Sequence, residues 1–589
     1  MKRLTIVLII MMLGSVSSYA IPAYPYKVKV TQPDGSTLIV RAHGDEYGHW
    51  FTDESGTVMQ QYEDGWFRPL AGVTQEQLAR RAAENRAAKN KVSNAAGSMK
   101  VKGKMRFLTI LVEFSDVAFK TDNPKQAVHD MLNQENYSVN GATGSARDYF
   151  YENSLGQFEP VFDVYGPAKL SQPMQYYGGN DSRGDDLRPH YALREGCQLL
   201  KDEIDFSQYD SNNDGDVDMV LMIYAGYGEA DGGGVNTIWP HEWNIRSGGL
   251  SFSDDGKNVD VYACTNELSS IGPTAGKLSG IGAACHEFGH AIGLPDMYDT
   301  DYTTNGYASA LLSFSVMDSG TYNNVSRTPP YLNIQERALL GWAGEGDIRR
   351  MPSSGTVEIP PVRNNVAYMT PTDMDGEYFL YECRTKTGWD AYIPGEGMIV
   401  YHADKSSRGI MIDGLSKPVS ASDLWRYWES YNALNENGSH PCFYIVPAGD
   451  QENLAYEKSG SAIPFPGSKN IKTYRAKSWN GVLSDYELSD IAFSGEKVSF
   501  SVKGYGNTTI LDFNVIDNPG NGKYNAGDRF DFILKDSETR PYESVSWFFD
   551  GAPADKGSVV LTAGHHTVEA ELKLKNGKTS IVTLELNVR

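Results

Sequence analysis

Cysteine is scarce here: five in 589 residues (Cys197, Cys264, Cys285, Cys383 and Cys442), an odd number, with none before residue 197. That excludes a disulfide-stapled scaffold. It also excludes a cysteine held over a metal by an N-terminal pro-region. Basic charge is short as well: Lys and Arg total 53 against 75 Asp and Glu, a formal charge of −22. Such a chain repels nucleic acid and anionic membranes and suits a solvated, exported protein. No apolar run beyond residue 20 is long enough to span a bilayer. Histidine numbers only 11, which makes the placement of two of them informative.

The one early apolar run, residues 4–13, follows Lys2 and Arg3 and precedes Ser18-Tyr19-Ala20, with small residues at the −3 and −1 positions of a cleavage site. Residues 1–20 therefore read as a signal peptide, and the mature protein is expected outside the cell. No cysteine follows the run, so a lipid anchor is not expected.

What is present is concentrated at His286-Glu287-Phe288-Gly289-His290-Ala291-Ile292-Gly293-Leu294-Pro295-Asp296. On a helix, His286 and His290 stand at i and i+4 on one face and can share one zinc ion. Glu287 lies beside the first ligand, where its carboxylate can take a proton from a water that the metal activates. Gly293 can adopt the positive φ that ends the helix, letting the chain swing Asp296 back as a third ligand. Three protein ligands leave a fourth position open, the catalytic rather than the structural arrangement. A chance His-Glu-x-x-His arises in about one such chain in a hundred. Asp299 and Glu336 compete with Asp296 for the third place. Cys285 abuts His286, but a buried thiol or a bridge to Cys264 fits it better than metal ligation.

A second acidic motif runs Asp210-Ser211-Asn212-Asn213-Asp214-Gly215-Asp216-Val217-Asp218. Oxygen side chains at Asp210, Asn212, Asp214 and Asp218, with Gly215 at the tight turn, match the first part of an EF-hand loop, and Asp216 adds a further carboxylate. Leu221 stands where the closing glutamate belongs, and an apolar strand follows, so no EF-hand is expected. A structural calcium ion completed by other oxygens is the expectation.

The histidine segment resembles the extended zinc motif of metzincin peptidases, and Ser315-Val316-Met317-Asp318-Ser319-Gly320 resembles their Met-turn. A closer resemblance is to the immune inhibitor A-like peptidases of family M6, carried by the run from His286 to Asp299, by Ser145 to Ser154, by Ile238-Trp239-Pro240-His241 and by Gly388-Trp389-Asp390. It covers roughly residues 100 to 500. The resemblance implies His286, His290 and Asp296 as zinc ligands, Glu287 as general base and Met317 as a support beneath the metal. Many metzincins carry a tyrosine two residues after that methionine. Ser319 stands there instead, leaving Tyr322 as the nearest candidate for transition-state stabilisation. His241 reads as structural.

The expected fold class is α+β and multidomain. It comprises a metzincin-like zinc peptidase domain (mixed sheet plus active-site helix), a β-rich extension and a C-terminal Ig-like β-sandwich. The expected division is 1–20 signal peptide, 21–100 propeptide with a basic linker, 101–345 catalytic domain, 346–505 β-rich extension and 506–589 sandwich. Residues 21–73 alternate like short strands; a helix opened by Thr74 and Gln77 follows, carrying Arg80, Arg81, Arg86, Lys89 and Lys91. A folded module between a signal peptide and a peptidase reads as a propeptide, making the protein a zymogen, and Asp45 or Glu46 could cap the zinc. The expected function is a secreted zinc endopeptidase acting on protein or peptide substrates, with surface or glycan contact through the C-terminal module. The competing reading is a secreted binding or adhesion protein whose peptidase fold is vestigial. A third keeps the zinc but hydrolyses something other than protein.

Overall fold

The computed structural model describes residues 19–45, 47–62, 64–89, 101–181, 186–230, 232–300, 308, 310–344, 346–412, 416–431, 434–451, 460–504, 510–515, 524–535, 542–574 and 579–589. Most of the signal-peptide stretch, Glu46 and residues 90–100 of the basic linker lie outside them.

A two-residue strand, β1 (Tyr19–Ala20), precedes a five-stranded antiparallel meander: β2 (Val28–Thr31), β3 (Thr37–Asp45), β4 (Gly48–Asp53), β5 (Val58–Gln61) and β6 (Phe67–Pro69). Helix α1 (Gln75–Lys89) closes this unit, and its capping box forms as expected: Thr74 N donates to Gln77 Oε1 at 2.9 Å and Gln77 N to Thr74 Oγ1 at 3.2 Å. The helix lies close against β4, where a Cβ on Gly48 would stand 3.1 Å from that of Ala82.

The central sheet holds β7 (Gly103–Glu113), β8 (Phe158–Lys169), β9 (Val220–Tyr227), β10 (His241–Asn244) and β11 (Val261–Leu268) in the order β1-β10-β11-β9-β7-β8. The strands from β11 to β8 are parallel; β10 runs antiparallel beside β11, and β1 antiparallel on β10. Strand β9 is apolar almost throughout, and β9 and β11 are buried along nearly their whole length, as parallel strands covered on both faces are. Against one face pack α2 (Ala146–Asn153) and the motif helix α3 (Gly282–Ala291). Phe288, on the side of α3 away from the two histidines, sits among Phe107, Phe150 and Phe162 with ring centroids 4.7, 4.9 and 5.3 Å away. That aromatic nest fixes which face of α3 is turned to the cleft.

Helix α4 (Ile334–Leu339) leads into a five-stranded and a four-stranded sheet built from residues 348–504. The apolar core does not break at residue 345: Phe288, Met317 and Leu332 share one cluster with Leu380, Ile399 and Tyr401. Buried Arg384 pins the junction, donating to Asp390 and to the carbonyls of Phe314 and Tyr331. The last part is two sheets around a common core of Phe530, Phe532, Trp547 and Val568. Gly564–Leu574 and Thr579–Val588 pair as the expected hairpin, whose turn lies outside the described residues. The whole is mixed α+β, rich in sheet. No helix among the described residues is long and apolar enough to cross a membrane.

Candidate metal centre and cleft

Helix α3 presents both imidazoles on one side. His286 Nε2 and His290 Nε2 stand 3.0 Å apart, and Asp296 Oδ1 lies 3.2 Å from the first and 3.3 Å from the second. Zinc bonded at about 2.0–2.1 Å in tetrahedral geometry sets its donors about 3.3 Å apart, so the three atoms already match the corners of such a site. Tautomers agree. His286 Nδ1 lies 2.7 Å from the Val316 carbonyl and His290 Nδ1 2.8 Å from that of Leu294. Carbonyls only accept, so each Nδ1 carries the proton and each Nε2 turns a lone pair inward. Burial pushes the His290 imidazole below its usual range, which favours that neutral form. Three electron-rich atoms converge in a buried site, and a shared cation fits them.

Gly293 has φ +109°, the left-handed backbone that favours glycine, and α3 stops there. Asp296 then returns to the imidazoles, and Met297 N donates to the Met317 carbonyl at 2.8 Å. Met317 is fully buried under the helix; a Cβ on Gly289 would stand 2.8 Å from its sulfur, so glycine is what lets the thioether close in. Asp318 braces this turn by accepting from the backbone N–H groups of Leu311 and Leu312. Neither rival ligand joins the group. Asp299 accepts from Ala308 N at 2.7 Å, and Glu336 caps α4 while taking the Ser315 hydroxyl. Burial lifts the Glu336 carboxyl to about 7. Among the described residues, His286, His290 and Asp296 are the one convergent set of three metal-ligating side chains.

Other expectations are corrected. The calcium reading finds no support: two of the loop's four carboxylates, Asp210 and Asp216, are paired with cations of the chain itself. Asp210 lies 2.5 Å from Lys257 Nζ, and Asp216 takes a bidentate contact from Arg246 at 2.8 and 2.9 Å. Asn212 donates to Asp214 at 2.8 Å, and Asp218 accepts from Ser211 N. EGTA is accordingly expected to leave the melting temperature unchanged; a drop reversed by calcium would reinstate the ion. All five cysteines are buried free thiols, so Cys264 and Cys285 form no bridge. Asp45 caps no metal group; its carboxylate accepts from Tyr47 N at 2.9 Å. His241 is held between the Trp239 carbonyl and the Tyr262 hydroxyl, a structural place as expected.

The cleft beside Glu287 is filled by the chain's own N-terminal stretch, which sequence analysis did not foresee. Strand β1 pairs Tyr19 with Glu242 and Ala20 with His241. Ile21 N then donates to Glu287 Oε1 at 2.9 Å, Trp239 Nε1 to the Ile21 carbonyl at 3.1 Å, and the Tyr322 hydroxyl to the Pro22 carbonyl at 2.7 Å. Tyr322 thus reaches the peptide in the cleft. Behind this stretch, the β-meander is tied down by His49, which stacks on Trp239 at 4.6 Å and meets buried Glu229 at 2.8 Å.

Comparison with known proteins agrees with this geometry. Residues 93–331 match the family model of the immune inhibitor A peptidase M6 catalytic domain. The chain is 28% identical over 266 residues to Immune inhibitor A of Bacillus thuringiensis, which covers 38% of each protein. It is 27% identical over 276 residues to the pre-pro-metalloprotease PrtV of Vibrio cholerae, covering 40% of this chain and 29% of that protein. The chain therefore spans well under half the length of these relatives. Among solved structures, OgpA of Akkermansia muciniphila in complex with an O-glycopeptide aligns over 84% of this chain and 96% of its own, at 9% identity and a TM-score of 0.20. A score that low carries no argument.

Proposed function

We propose, from the match of residues 93–331 to the immune inhibitor A peptidase M6 catalytic domain, that the chain is a secreted zinc endopeptidase made as a latent precursor. The observation that carries the reading is the convergence of His286, His290 and Asp296 within 3.3 Å of one another, with Glu287 beside them. Zinc held by that set would supply Lewis acidity, polarising the scissile carbonyl and acidifying a water. The remaining work falls to the chain. Glu287 takes a proton from the attacking water and passes it to the leaving nitrogen, as general base and then general acid. The Val316 and Leu294 carbonyls hold the imidazoles in the ligating tautomer. Strand β10, at the cleft, offers backbone groups to an extended peptide, as it does to β1.

Latency is supported by the stretch 21–24 lying across Glu287 and by the buried His49–Glu229 pair that anchors the module behind it. Residues 21–100 then act as a propeptide, 101–345 as the catalytic part with 346–505 packed against it, and 506–589 as a separate sandwich. The metzincin-like assignment of the catalytic part rests on the motif helix and the Met317 turn beneath it.

The test is digestion of a generic protein substrate by the processed enzyme with and without 1,10-phenanthroline. Hydrolysis stopped by the chelator and restored by added zinc is expected. Indifference to the chelator, or no hydrolysis by metal-loaded protein, would favour the vestigial binding protein instead.

A further inference from the structure

In peptide hydrolysis the nitrogen that becomes the new amine must come within hydrogen-bond reach of the group that protonates it. Glu287 holds one peptide nitrogen at that distance, the N of Ile21 at 2.9 Å. The Ile21 nitrogen therefore occupies the place of the leaving nitrogen. It belongs to the bond after Ser18-Tyr19-Ala20, where the sequence calls for removal of the signal peptide. Once that bond is cut, the nitrogen facing Glu287 is no longer an amide but an α-ammonium, which is what a reaction product presents after release of its other half.

The rest of the stretch is held as a peptide product would be. Trp239 and Tyr322 donate to its first two carbonyls, contacts that ask nothing of the side chains. Selection falls on the first residue. Ile21 is buried in one apolar cluster with Ala23, Ala230, Trp239, Ala283 and Tyr322, and Tyr24 and Ala42 pack against that cluster. Ala230 and Ala283 leave room, the rings of Trp239 and Tyr322 wall it, and the polar atoms of those rings are directed to the backbone. None of the side chains in this cluster brings a charge, so an ionic side chain would be buried there at high cost.

Resting on the peptidase reading above, we propose that residues 21–24 of the processed chain sit in the cleft as a tethered product. The Ala230–Trp239–Ala283–Tyr322 pocket then binds peptides that begin with a free α-ammonium on an aliphatic residue, and it selects such residues on the amine side of the cut.

The experiment uses the zinc-loaded full chain and a quenched reporter peptide. Ile21→Asp is expected to raise reporter hydrolysis at least about tenfold over the parent, because the cleft rejects a buried carboxylate. Ile21→Val is expected to stay as quiet as the parent. Adding the tetrapeptide Ile-Pro-Ala-Tyr to the Ile21→Asp chain should restore the block, while its N-acetylated form should be at least about tenfold weaker. Filling the pocket with Ala283→Phe, or more mildly Ala283→Val, should weaken inhibition by the tetrapeptide without loss of metal. Equal inhibition by the acetylated peptide, or equal activity of the Ile21→Asp and Ile21→Val chains, would overturn the proposal. So would N-terminal sequencing that finds a first residue other than Ile21. If even chain nicked in the linker and freed of its N-terminal fragment cleaves no reporter, the peptidase reading fails first.

Discussion

Replacing Glu287 by Gln is expected to lower hydrolysis by about 10²–10⁴-fold while the zinc stays bound. The amide has the shape of the carboxylate, and its oxygen can still accept from Ile21 N, so neither the fold nor the cleft stretch is disturbed. Only basicity is lost. Glu287 is buried at the metal group but is not among the three converging ligands. Metal content should therefore separate this variant from His290→Ala, which removes a ligand. The comparison is best read on chain freed of its N-terminal module, as hydrolysis of a quenched peptide beside zinc content. Activity within a few-fold of the parent would remove Glu287 from the role of base.

The second large effect runs the other way. Cutting the basic linker before residue 104 and removing the N-terminal fragment should raise hydrolysis by about a hundredfold. A tethered segment faces its site at an effective concentration of about 1 mM. If the free stretch binds with a Kd near 10 μM, about one cleft in a hundred is open in the intact chain. The anchor behind it is strong. His49 and Glu229 are both buried, and breaking such a pair costs about 3–5 kcal/mol. Burial opposes protonation of His49, but Glu229 and Asp45 together outweigh it and raise the imidazole's pKa. The hold is therefore full below the ordinary histidine range and is lost as pH climbs through the raised value. Equal activity before and after the cut, assayed on the same peptide, would refute latency.

The metal group was legible because it is local. His286, Glu287, His290, Gly293 and Asp296 lie within eleven residues, and helix geometry with one positive-φ glycine suffices to bring them together. The strand β9 was legible for a similar reason, since a run buried on both faces must be apolar. The cleft stretch was not. Ile21 meets Glu287 across 266 positions of sequence, and the contact uses a backbone nitrogen that any residue but proline carries. The carbonyls of Val316 and Leu294 are equally silent in a sequence. Trp239 gave a faint signal through the Trp239-Pro240-His241 run, but its role needed the fold. The calcium expectation, which the structure does not support, shows the same blindness to distance. The loop spacing of Asp210 to Asp218 was read correctly, yet Lys257 and Arg246 arrive from 47 and 30 residues away.

Everything depends on one ion being held by three side chains, and metal analysis of the purified protein tests this most directly. Mass spectrometry of the full chain should find about one zinc per molecule, falling close to zero in His290→Ala and sharply in Asp296→Ala, with Asp299→Ala and Glu336→Gln retaining it. A metal-free parent chain prepared without chelators, or zinc kept by Asp296→Ala and lost by Glu336→Gln, would contradict the account.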